Sequence, residues 1–203
     1  PQAASSRGSS RHPVRVAPRA PSNRAGGSAT RRNRLCHAWH QDENAREELC
    51  LFHSTSYADS EQKKKDRDKA IRSVKVDPNI YVRATIINLF AAKNLKPLKK
   101  QVNLATQIAR KTPKQGIVNA LEGMKDRPNR DMILHFANYP IQFIIGKYDT
   151  ILPMQSLIDQ SRICKRGSAL LLENSGHMGF LEQPDTCVKQ LKKFARISFR
   201  SGK

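Results

Sequence analysis

A chain of 203 residues suits one domain, or one small domain with an appendage, and a hydrophobic share of 38% implies that part of it does not pack. The formal net charge of +20 raises nucleic acid or another anionic surface as a partner, while the absence of any apolar run near ~18 residues argues against a membrane span. Cys36, Cys50, Cys164 and Cys187 form no C-x-x-C pair, so neither a zinc site nor a disulfide framework is expected, and a reducing cytoplasm is the default location.

Composition changes sharply near residue 45. Residues 1–40 hold eight arginines, no lysine and no acid, in a background of Ser, Ala, Pro and Gly without helical or strand periodicity. Such a segment buries too little apolar surface to offset its chain entropy, so residues 1–45 are expected to be disordered. Three readings compete for it. A nucleic-acid arm lacks support, because no aromatic precedes Trp39 and no RGG repeat occurs. A transit peptide would share the Arg- and Ser-rich, acid-poor bias. The favoured reading is a stretch translated out of frame, since this lysine-free composition is typical of GC-rich DNA read in the wrong frame. His37 and His40 stand near Cys36, but with no second ligand pair no metal is expected there.

From residue 46 to about 200 the pattern is that of a folded domain. "LCLFHS" (49–54) reads as a short buried strand. Four helices are expected next, over 57–74, 79–91, 98–111 and 114–126. In the second, Ile80, Ala84, Ile87 and Leu89 recur at near-helical spacing; in the third, Val102, Ala105, Ile108 and Ala109 share a face. "YPIQFIIGKYD" (139–149) reads as a strand opened by Pro140 and closed by Gly146. A helix over 153–163, a strand over 168–174 and a final helix over 184–198 follow, the last turning Cys187, Val188, Leu191 and Phe194 inward. Alternating buried strands and helices predict an α/β parallel sheet, and four helices are too many for one crossover, so 57–137 is read as an inserted cap.

In a parallel sheet, ligands bind beyond the carboxyl ends of the strands. His53 and Ser54 follow the first strand, Asp149 the second and His177 the third. An aspartate after one strand and a histidine after the next form a charge-relay pair in need of a nucleophile. Taken alone, Asp149 could instead cap a turn, and His177 and His53 could be structural histidines.

"FIIGKYDTILP" is similar to the acid strand, and "LENSGHMGFLEQPD" to the histidine loop, of α/β-hydrolase fold enzymes, and the order Asp then His is also theirs. The resemblance covers residues 49–200 and corresponds to the C-terminal part of that fold. It implies that Asp149 is the triad acid and His177 the base, with Gly176 permitting a tight turn and Gly179 a close approach. It also implies that 57–137 is a helical lid over a pocket lined by His53, Ser54 and Met178, that the substrate is a small ester-like molecule, and that no cofactor or metal takes part.

That family also needs a G-x-S-x-G elbow, roughly twenty-odd residues before the strand matching "LCLFHS". Gly26-Gly27-Ser28-Ala29-Thr30 stands there, one glycine short, and the prolines of "VAPRAPSNRA" exclude a central strand before it. Ser28 is therefore a weak nucleophile candidate. The expected function is a serine-type hydrolase of ester or related acyl bonds that is inactive as it stands. The alternatives are a non-catalytic binding protein of the same fold, or nucleic-acid binding through the tail. Whether the parent nucleophile is Ser or Asp stays open. A sheet lacking its usual first strands would expose an edge and one bare face, implying marginal stability and self-association.

Overall fold

The protein's structure is a computed structural model that describes residues 48–200, with side chains described to residue 196. Ser28, Cys36, His37, His40 and the Arg-rich segment lie outside the described residues.

Three parallel strands form the sheet, in the order β1 (Leu49–Phe52), β2 (Ile141–Gly146) and β3 (Gly167–Leu172). Leu49 pairs with Ile141 and Phe52 with Ile144; on the other side Ile141 pairs with Gly167 and Gly146 with Leu172. β2 is a continuous apolar run because both of its faces are covered. Ile141, Phe143 and Ile145 point one way, into a core completed by Leu134, Leu157 and Cys164. Ile144 points the other way, against Leu172 and Cys187. Gln142, also on that second face, is satisfied by Ser168 Oγ at 3.1 Å and Gln190 Nε2 at 2.7 Å. The expectation of one bare face thus fails at β2, because the last helix covers it. β1 is only half-buried and, among the described residues, pairs on one side alone.

Between β1 and β2 run α1 (Glu61–Val76), α2 (Pro78–Leu89), a 3-10 turn (Ala92–Asn94), α3 (Lys99–Arg110), α4 (Lys114–Lys125) and α5 (Asp131–Phe136). After β2 come α6 (Met154–Ile163), then, beyond β3, α7 (Gly179–Glu182) and α8 (Pro184–Arg200). α1 starts four residues later than its composition suggests, because Ser60 caps it by accepting the Lys63 N–H at 3.3 Å. Asp77 and Pro78 separate α1 from α2: the Asp77 carboxylate accepts the N–H groups of Asn79 and Ile80 at 2.7 and 3.3 Å.

The insertion builds its own cores. Ile71 and Val74 of α1 pack on Val118 and Leu121 of α4. Val82 and Ile86 of α2 pack with Phe90, Val102, Ala105 and Ala109. So α2 turns in Val82 and Ile86, whereas Ile80, Ala84 and Ile87 are exposed; the expected stripe marks the wrong side. On α3 the stripe holds except for Ile108, which is exposed. On α8, Cys187 and Phe194 are buried while Val188 and Leu191 face outward. α5 was not legible, and its Leu134 joins the sheet's core rather than the insertion's clusters. α1 to α4 thus pack mainly on one another, with Met178 and Leu181 of the later loop joining the α2–α3 cluster.

The segment after β1 is pinned from below. Gln160 of α6, fully buried, accepts hydrogen bonds from Ser56 N and Ser56 Oγ, both at 2.9 Å, and donates to Thr55 Oγ1 at 2.8 Å. Buried Asp59 is met by Arg67 Nε at 3.0 Å and Arg127 Nη2 at 3.5 Å. These contacts fix the exit from β1, and with it the position of His53.

Candidate active site

Asp149 sits three residues past the end of β2, where its amide turns back to Gly146 O at 3.3 Å. One carboxylate oxygen, Oδ1, accepts the backbone N–H groups of Ile151 and Leu152 at 2.8 and 3.0 Å. The other, Oδ2, lies 2.7 Å from His177 Nδ1. The carboxylate side chain is 0% exposed and the His177 ring 24%, so a buried acid holds a ring that reaches solvent. Such a pairing fixes the tautomer: with Nδ1 donating to the acid, Nε2 is left bare as an acceptor. Among the described residues, no hydroxyl or thiol is hydrogen-bonded to the His177 ring.

Burial pushes the Asp149 carboxyl up, but the His177 hydrogen bond, the facing His53 ring and the Leu152 N–H outweigh it and hold the group well below the ordinary carboxylate range. His53 Nδ1 stands 3.6 Å from Oδ2, beyond hydrogen-bond length, so it acts there as a nearby dipole and not as a formed bond. A carboxyl whose folded pKa is depressed stabilises the fold above its unfolded value of ~3.9, and that contribution is lost as pH falls from there through the folded pKa. Asp149→Asn is accordingly expected to lose stability less steeply below pH ~4 than the parent, in urea titrations at stepped pH. Equal slopes would show that the carboxylate is not held in this way.

The loop carrying His177 is clamped against the helical insertion. Its backbone N–H donates to Leu89 O at 2.7 Å. The Glu182 carboxylate takes Gly176 N–H on one oxygen, and Ala91 N–H and Asn94 Nδ2 on the other, each at 2.8 Å. Gln183 Oε1 accepts from Asn174 N at 2.8 Å and Ser175 Oγ at 3.0 Å. Gly176 is required by contact and not by a tight turn: its backbone is not left-handed, but a Cβ there would lie 2.7 Å from Ala91 N and 2.8 Å from Leu89 O. Glu182 and Gln183 fall inside the "FLEQPD" that signals the loop, yet nothing in the sequence says what they hold.

Of the residues expected to line a pocket, His53 is buried beside Asp149, Ser54 is half-buried, and Met178 packs on the Val82–Ile86–Phe90 cluster of the insertion. The ring nitrogens of His53 and His177 and an Asp149 oxygen lie within 4.8 Å of one another, close enough for a metal to be considered.

No protein-family model and no curated protein matches the chain. Its structure is similar to that of an esterase from Thermogutta terrifontis, with a TM-score of 0.70 at 20% identity over 79% of this chain and 61% of that one. An enol-lactonase from Burkholderia xenovorans LB400 gives 0.66 at 14% identity, over 74% and 56% of the two chains. An alpha/beta hydrolase enzyme from a Medee basin deep-sea metagenome library gives 0.64 at 14%, over 73% and 55%. The chain thus spans less than two thirds of each of these proteins. Three parallel strands with helices packed on both faces, at these TM-scores, give the described residues the α/β-hydrolase fold.

Proposed function

We propose that this chain supplies the acid and base of a serine-type α/β hydrolase acting on an ester or related acyl bond of a small molecule. The observation that carries the reading is the 2.7 Å contact between Asp149 Oδ2 and His177 Nδ1, with the acid buried and the ring partly open. His177 Nε2 would take the nucleophile's proton and return it to the leaving group, while the Asp149 anion stabilises the imidazolium formed in between. The esterase and the enol-lactonase named above support the acyl-bond class. In this reading α1 to α4 form the lid, and His53, Ser54 and Met178 stand near the pocket.

A relay pair without a nucleophile and oxyanion donors has little to act on. No described hydroxyl meets His177, so the chain by itself is expected to leave p-nitrophenyl acetate at its background rate of hydrolysis. Joined behind the N-terminal portion of an esterase of this fold, it is expected to turn the ester over, and His177→Ala in that fusion to cost about 10⁶-fold in kcat. A folded fusion that binds the ester without cleaving it would favour a non-catalytic binding protein. Turnover insensitive to His177→Ala would refute the assignment of the base.

A further inference from the structure

We propose that His53 is a positioning residue for the acid: a neutral imidazole, protonated on Nδ1, that shares Asp149 Oδ2 with His177 and ties the histidine loop to the end of β1. This rests on the reading of Asp149 and His177 as acid and base.

Four observations converge on it. First, His53 is the only non-glycine described residue with a positive φ, at 42°. That conformation costs a histidine free energy and persists only where the surroundings over-determine it. Second, the surroundings do so. His53 N–H donates to Ile144 O at 3.0 Å, and Nε2 accepts the Gly179 N–H at 3.1 Å. Gly179 is needed for this approach, since a Cβ there would overlap His53 Nε2 and Leu172 Cδ1. Third, the ring is wedged edge-on against Phe52, 5.0 Å between centroids, and tilted 52° to the His177 ring at 5.5 Å. Fourth, Nδ1 is buried without a hydrogen-bond partner, facing Oδ2 at 3.6 Å.

The protonation state follows from the Gly179 contact. A backbone amide only donates, so Nε2 must be bare, and a neutral imidazole then carries its proton on Nδ1. An Nδ1–H turned toward a carboxylate is favourable, whereas a bare nitrogen there would be repelled. The same logic decides against a metal shared by His53, Asp149 and His177. Ligation through His53 Nδ1 would leave both of its nitrogens without a proton, an imidazolate, while the amide still occupied Nε2. His53 is thus a donor facing the acid and not a ligand. Oδ2 is hydrogen-bonded to His177 Nδ1 at 2.7 Å and faces the His53 Nδ1–H dipole at 3.6 Å, which in this proposal draws on the charge that the nearer ring binds.

Long-range ¹H–¹⁵N spectra of the ¹⁵N-labelled full chain test this without any need for turnover. His53 is expected to show a protonated Nδ1 and a bare Nε2; a proton on Nε2 overturns the proposal. In His53→Phe, which keeps the ring and removes both nitrogens, the hydrogen-bonded Nδ1 proton of His177 is expected to move downfield, because Oδ2 is then its own. An unmoved resonance in a folded variant overturns the sharing. Should that variant fail to fold, the tautomer in the unmodified chain still decides. A parent spectrum with no hydrogen-bonded His177 Nδ1 proton overturns the acid–base reading itself, which separates the two failures.

Discussion

Gly146→Ala is expected to dislodge the histidine loop and destabilise the domain. Gly146 closes β2, fully buried, and a Cβ on it would fall onto Gly176 O, with Gly176 C at 2.8 Å and Ser175 O at 2.9 Å. Neither side can yield cheaply. The strand end is held by Lys147 N–H on Leu172 O at 3.1 Å and Tyr148 N–H on Ser175 O at 2.9 Å. Gly176 is itself closely held, with Leu89 O and Ala91 N lying close to where its Cβ would be and its N–H bound by Glu182. The overlap alone costs about 1–3 kcal/mol. Each backbone hydrogen bond broken to relieve it adds about 1 kcal/mol. Urea denaturation should therefore show a lowered midpoint, together with loss of the His177–Asp149 hydrogen bond in the imidazole spectrum. A parent-like midpoint with that bond intact would mean that the two chain segments do not meet as described.

Phe143→Ala is expected to cost about 3–5 kcal/mol, the largest effect of any single truncation in the sheet. Phe143 is a fully buried side chain at the middle of β2, paired with Leu51 on one side and Ala169 on the other. Its ring fills the core between the sheet and Leu134, Leu157 and Cys164. Removing it leaves a cavity that neighbours locked on three strands and two helices fill only in part. Domains of this size hold about 5–15 kcal/mol in all, so the variant should be largely unfolded at temperatures where the parent is folded. Ile87→Ala, on the exposed side of α2, is the control and should stay within about 0.5 kcal/mol of the parent. Denaturant titration of both variants checks the contrast; similar losses would place the core elsewhere.

β2 and the loop beyond β3 were legible because their signals are local. Pro140 and Gly146 bound one apolar run, and "GHMGFLEQPD" carries its chemistry within ten residues. The pairing of Asp149 with His177 was legible through the resemblance of their two motifs to the α/β-hydrolase pattern; position after a strand left each open to a structural role, and the adjacency of β2 and β3 brings their carboxyl ends together. The helix faces were less legible. Periodicity marks a stripe, but which stripe is buried depends on what covers it: α2 finds α3 through Val82 and Ile86, leaving Ile80 and Ile87 outside. α5, with six residues, is too short to display a period. His53 was legible as a residue near the site and not as a partner of the acid, because its place depends on a left-handed backbone and on a glycine 126 residues away.

The Glu182 carboxylate and the Leu89 carbonyl rivet the His177 loop to the root of the helical insertion. On the function proposed above, the insertion as a lid and the loop carrying the base would not be interchangeable modules. A graft of foreign helices between β1 and β2 would have to keep the native stretch from Leu89 to Asn94, or the imidazole would lose the scaffold that aims it.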